Sequence, residues 1–274
     1  MKRIRLIIAA ILTLALTVGM FAALGEDKAQ AANDRAPSGQ YISETTEDGL
    51  QVYFRTSDPA SWAEIVGYVG NRTEVVIPAY IGKHRVYEIY SRAFEGNKTI
   101  TSVELPYAMK KIGAHAFKDC TSLKKVTFGD YFKFLEEENG KVSSSDAPVL
   151  LGIGAFAGCV SLEEIEFTYG IAEDHVSDEG VFSGSGLKKA TVCWTYGTNI
   201  NYLFKNAEKL EKLVIKARDD RKYYRWVNLQ AESYVDMPNL KEVDTYDCDC
   251  VHLNGSIIHS RTGKREMFSR AVQI

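Results

Sequence analysis

Apolar positions along this chain recur in a two-part phrase. An Ala-Phe pair is followed three residues later by a small residue or Cys, and then by a Leu that opens an alternating apolar run. Two copies are close to each other: Ala116-Phe117…Cys120…Leu123-Lys-Lys-Val126-Thr-Phe128, and Ala155-Phe156…Cys159…Leu162-Glu-Glu-Ile165-Glu-Phe167. An earlier copy runs Ala93-Phe94…Asn97…Ile100…Val103-Glu104-Leu105, and looser ones follow around Phe182, Phe204 and Tyr234. The Leu-led tail of each copy alternates as a half-buried strand does. A phrase that returns at about one coil's length predicts a solenoid, in which each unit buries its apolar side only against its neighbours.

The shortest intervals, Phe94 to Phe117 and Phe182 to Phe204, set the basic coil. The longer ones carry insertions at one corner. Because every connection runs the same way round, the strands are expected to stack in parallel. A second signal, Ile112-Gly113 and Leu151-Gly152, precedes two of the Phe residues. Its Gly is expected to allow a tight corner, and the Ala that follows to let coils approach closely. Pro78 and Pro106 each close a strand, where a missing N–H does no harm.

The pattern Leu-x-x-Leu-x-Leu-Pro…Ile-Gly-x-x-Ala-Phe-x-x-Cys-x-x-Leu resembles the BspA-type branch of the leucine-rich repeat family over about residues 75–245. The resemblance implies a right-handed, short-coil solenoid of the kind found in bacterial secreted or surface proteins. It also implies adhesion-like contacts with proteins or glycans, without catalysis, and it brings no fixed functional residues. The expected fold is an α/β-type solenoid, mostly β, of about six coils with a parallel strand ladder.

Residues 75–247 form the repeat region in this reading. Residues 48–74 read as an N-terminal β cap, in which 49–54 pairs with 63–68, and residues 32–47 as a flexible linker. Residues 248–274 read as a C-terminal hairpin cap, since Asn254-Gly255 is a two-residue hairpin turn and Arg261 to Lys264 a second one. Together these turns predict a short meander from Val251 to Phe268. The start, Met1-Lys2-Arg3-Ile4-Arg5, is basic and is followed by an apolar stretch to Leu24 and a small-x-small site at Ala29-Gln30-Ala31. Residues 1–31 therefore read as a secretory signal peptide rather than a retained anchor, with no membrane span expected after its removal.

The whole chain carries a formal net charge of −3, and residues 1–31 hold more basic than acidic groups. The remainder is thus mildly acidic, which argues against nucleic acid or an anionic membrane as a partner. The five cysteines are an odd number for an exported chain. Cys120 and Cys159 fill one repeat position and read as small buried thiols, although adjacent coils would also permit a bridge.

Enzyme signatures are absent, so neither catalysis nor a cofactor is expected. Cys248, Cys250 and His252 alternate, and a hairpin at Asn254-Gly255 would place His259 opposite Cys250. That set is compatible with zinc, but it lacks a Cys-x-x-Cys knuckle and reads rather as part of an edge hairpin. Outward strand positions form one row through Ser102, Lys125, Glu164, Lys189, Lys212 and Glu242, and a second through Glu104, Thr127, Glu166, Thr191, Val214 and Asp244. These rows either stabilise the sheet through cross-strand charge pairs or serve as a ligand face. The insertion at 217–230 adds Tyr223, Tyr224 and Trp226 among arginines. It reads either as a short helix buried on the solenoid or as an interface anchor. The function expected is a non-enzymatic binding protein for an extracellular protein or glycan. The alternative is an envelope module without a specific ligand.

Overall fold

The computed structural model describes residues 41–55, 62–107, 109–129, 149–174, 178–194, 199–217, 226–229, 237–246, 250–253, 256–259 and 266–269. Among these, the repeat tails form the expected parallel pairings, divided between two sheets with no ladder bonds between Lys125–Phe128 and Glu164–Glu173. Strands Glu74–Val76, Ser102–Leu105 and Lys125–Phe128 pair with Val75, Val103 and Val126 in register. Farther along, Glu164–Glu173, Lys189–Trp194, Lys212–Ala217 and Glu242–Tyr246 pair with Ile165, Ala190, Leu213 and Val243 in register. Every one of these aligned side chains is buried, so a one-residue slip would turn the whole apolar row to solvent.

A second ladder forms the opposing wall. It runs through Leu50–Arg55, Ala63–Tyr68, His84–Ile89, Lys111–Ile112 and Val149–Leu151. The long strand Glu164–Glu173 serves both walls: Glu164 pairs with Lys189, while Ile171 pairs with Val149, and its register shifts between Glu166 and Gly170. The fold is mostly β. Helix is confined, among the described residues, to Ile200–Leu203, which Asn199 caps by accepting the N–H of Asn201.

Between the walls runs a spine of aromatic rings. Phe94, Phe117, Phe156, Phe182 and Phe204 are each at most 2% exposed. Successive ring centroids are 4.9, 5.2, 5.5 and 5.4 Å apart, and all four pairs are stacked. Tyr68 meets Phe94 at 5.8 Å and extends the spine into the N-terminal strands. Tyr234, the last copy in the sequence pattern, lies outside the described residues. Beside the spine, Cys120 donates its thiol to the carbonyl of Phe94, and Cys159 to that of Phe117, each at 3.1 Å. The repeat position thus suits a small group with one weak donor. Burial pushes the Cys159 thiol far above its usual range, which keeps it protonated and unreactive.

The corners differ from expectation in one respect. Gly113 and Gly152 do not supply left-handed backbone. A Cβ on Gly113 would stand 2.6 Å from the Ser91 nitrogen, and one on Gly152 would stand 2.3 Å from the Ala114 nitrogen. Their role is close approach of neighbouring coils, the role assigned above to the Ala. Left-handed backbone occurs two residues before three of the Phe residues, at Arg92, His115 and Gly154, and two residues after all five, at Gly96, Asp119, Gly158, Gly184 and Asn206. Gly, Asp and Asn are the residues that tolerate that conformation best.

The two ends also add detail. Tyr41–Thr45, inside the segment read as a linker, is a strand antiparallel to Leu50–Arg55, and Leu50–Arg55 in turn pairs antiparallel with Ala63–Tyr68. At the far end the single meander expected from Val251 to Phe268 is divided. Glu266–Ser269 pairs antiparallel with the last repeat strand, Glu242–Tyr246. The hairpin Cys250–Leu253 and Ser256–His259 belongs to another sheet, completed by Trp226–Leu229. The sequence leaves that segment either as a short helix buried on the solenoid or as an exposed interface anchor. It is instead a strand parallel to Cys250–Leu253, whose ladder bonds take the place of the backbone bonds a helix would make within itself.

Candidate functional site

The outward rows of the repeat ladder are in the register read from the sequence. Ser102 pairs with Lys125, and Glu164, Lys189, Lys212 and Glu242 follow one another across four strands. Their electrostatics divide the face into two halves. In the C-terminal half the charges neutralise one another. Lys189 is bonded to Glu164, and Lys216 reaches Glu166 at 2.6 Å. One position earlier, Glu163 pairs with Lys188 at 2.8 Å, and Glu211 with Lys241 at 3.2 Å. This row, alternating in sign from coil to coil, was not singled out in the sequence. Its signal was present, as the residue directly after each repeat Leu.

Lys212 is the most constrained of these groups. Its ammonium lies 2.8 Å from Asp244 and 2.6 Å from Glu242, and hydrogen bonds to Asp244 and then Glu242 raise its pKa. Asp244 is 1% exposed, Thr191 4% and Val214 6%. Three members of the second row are therefore buried rather than outward, a correction to the reading of that row as an open surface. Lys212 acts as a structural counter-ion here. We expect Lys212→Met to leave the Asp244 carboxylate without this partner and to cost about 2 kcal/mol, less than a fully buried pair because Lys212 itself stays partly solvated. Urea unfolding of the variant beside Lys189→Met, whose partner Glu164 is exposed, checks this. Equal midpoints for the two variants would refute it.

The N-terminal half of the same face is open. Glu74, Glu104, Lys124 and Lys125 are exposed and make no ion pair among the described residues, and Val76, opposite Glu104 on the edge strand, is 59% exposed. Lys125 thus stands apart from the Glu164–Lys189 pair with which the sequence grouped it.

The remaining candidates are placed as follows. Tyr223, Tyr224 and Cys248 lie outside the described residues. Trp226 pairs with Cys250 in the small sheet. Cys250 and His259 stand opposite each other across the hairpin, as the Asn254-Gly255 turn predicted, and His252 stands opposite Ile257.

Two clusters went unread in the sequence. On the corner side, Glu179 accepts from His115 at 2.7 Å and from Lys118 at 2.9 Å. Gly154 has no side chain there, and a Cβ at that position would come within 2.6 Å of His115. On the second ladder, Trp62 and Tyr87 meet beside Glu88, Lys111 and Asp174. Neither cluster follows a sequence motif, since each joins residues from different coils.

Comparison with known proteins supports the fold. The model of the BspA type leucine rich repeat region, in six copies, matches residues 134–219. A search of curated proteins finds no match. Among solved structures, the chain is similar to a leucine rich cell surface protein from Faecalibacterium prausnitzii A2-165, with 22% identity and a TM-score of 0.51. That match covers 84% of this chain and 61% of the other, so this chain spans less than two thirds of that relative's length. Similarity also extends to a leucine-rich repeat protein from T. pallidum, with 18% identity, 66% and 85% coverage and a TM-score of 0.36. The pneumococcal vaccine antigen PcpA matches with 15% identity, 82% and 55% coverage and a TM-score of 0.38.

Proposed function

This chain carries a BspA-type leucine-rich repeat region, and from that premise we propose that it is a non-enzymatic recognition scaffold working outside the cell. Its partner is a protein or glycan, met by the N-terminal half of the repeat ladder. The observation that carries this reading is the contrast within one face. Seven strands share one architecture, yet the last four pair their charges internally while the first three leave Glu74, Glu104, Lys124 and Lys125 open, with Val76 exposed opposite Glu104. Charges already paired resist a new partner, because each must first be separated. Open charges around an exposed apolar residue are free to form new contacts.

Export is part of the same reading. The basic, apolar and small-residue order of residues 1–31 supports it, as does the likeness to a cell surface protein. A purely structural envelope module remains the second reading, favoured by the self-neutralised C-terminal half.

The test uses protein comprising residues 32–274, applied to an array of purified extracellular-matrix proteins and glycans. Saturable binding is expected, weakened at least about tenfold by the double variant Lys124→Glu/Lys125→Glu with an unchanged unfolding midpoint. An array without saturable binding would instead support the structural module.

A further inference from the structure

Trp62 sits immediately before the strand Ala63–Tyr68 on the second ladder, with 51% of its surface exposed. Its ring meets that of Tyr87 at 4.8 Å, with an angle of 49° between the ring planes. The backbone explains how Tyr87 comes to be there. Ala63 pairs with Val86, but the next residue, Glu64, pairs with Glu88, so Tyr87 is an extra residue in the strand His84–Ile89. Such a bulge re-aims side chains. Val86 and Ile89 stay buried at 1% and 0%, while Tyr87 and Glu88 between them are both only half-buried.

The neighbouring groups are polar and mostly acidic. Glu88 stands beside Lys111 in the ladder, and Lys111 is bonded to Asp174 at 2.8 Å. Burial first, then Glu64 and to a lesser degree Asp174, against the opposing Lys111, together push the Glu88 carboxyl up to about 7. Near neutral pH that carboxyl exists in both forms, one accepting hydrogen bonds and the other also able to donate one.

We propose that the Trp62–Tyr87 corner, with Glu88 beside it, is a subsite for a neutral saccharide ring. The apolar C–H face of a pyranose matches an exposed aromatic corner, and its hydroxyls match the Glu88 carboxyl and the Lys111–Asp174 pair. The charge of the site selects among sugars. The charges acting on Glu88 are the carboxylates of Glu64 and Asp174 against the ammonium of Lys111, a balance that disfavours uronic, sialic and sulfated saccharides. The inference rests on the reading of the chain as a recognition scaffold, but it places this contact on the wall opposite Lys124 and Lys125.

The test is isothermal titration of protein comprising residues 32–274 with chitotetraose, maltotetraose and mannotetraose. A hyaluronan tetrasaccharide and sialyllactose serve as acidic probes. At least one neutral saccharide is expected to bind saturably, and neither acidic one. Trp62→Ala should weaken that binding at least about tenfold, as expected for removal of an aromatic anchor. Glu88→Gln, which keeps the shape and removes the charge, should retain part of it. Lys124→Glu/Lys125→Glu should leave binding at the Trp62 corner unchanged while weakening capture of the ladder's own partner at least about tenfold, which separates failure of one site from failure of the other. Three outcomes overturn the subsite: no neutral saccharide binding, preference for the acidic probes, or Trp62→Ala binding as the parent protein does.

Discussion

Phe117→Ala is expected to destabilise the protein by about 3–5 kcal/mol, the cost of a large cavity in a core that cannot close over it. Phe117 is 0% exposed and lies in the middle of the spine, with Phe94 at 4.9 Å on one side and Phe156 at 5.2 Å on the other. The neighbouring rings cannot move into the gap. Each is held by its own coil, and the coils are joined on the second ladder and at the corner. There Phe117 donates its N–H to Ala155, and Ala116 accepts from Phe94. Loss of the two stacked contacts adds to the transfer term. Because a solenoid is stabilised by neighbour interfaces, the damage should extend to the coils on either side, and hydrogen exchange should accelerate around Phe94 and Phe156 more than around Phe204. Urea denaturation gives the total cost. An unchanged midpoint would contradict the spine.

Gly152→Ala should cost about 3 kcal/mol, the upper end of what overpacking produces. The added methyl would meet the Ala114 nitrogen at 2.3 Å and the Gly113 carbonyl carbon at 2.6 Å. These are backbone atoms, so nothing can rotate away, and the coils must separate. Separation is opposed by the hydrogen bond from Gly152 N–H to the Ile112 carbonyl at 2.8 Å. Gly184→Ala is the informative control. Gly184 has a left-handed φ of +62° and open space around it, so alanine there meets only the backbone preference, about 1 kcal/mol. If crowding between coils governs Gly152, its variant unfolds at clearly lower urea than the Gly184 variant. Coincident midpoints would mean that coil spacing is not limiting.

Legibility in the sequence followed periodicity. The strands, their parallel order and the in-register rows could be read because the same residue types return at each coil, as with Val75, Val103 and Val126. The Cys position could be read for the same reason. The insertions have no second copy, and there the reading of Trp226 within a short helix gave way to a strand paired with Cys250–Leu253. The open half of the ladder was hidden for a different reason. Lys125 and Lys189 occupy equivalent positions, and only the reach of neighbouring side chains separates an open lysine from a paired one.

What the sequence determined by itself is therefore the repeating part of the protein: coil, ladder and aromatic spine, each set by a short pattern that buries the same face every time. Tertiary structure alone decided the rest. It sank Asp244 beneath the surface with Lys212 as its counter-ion, let Glu179 reach His115 past Gly154, and bulged Tyr87 out beside Trp62. Each of these depends on side chains from different coils meeting in space. Packing and charge pairing between coils are properties of the stacked molecule, and no single repeat contains them.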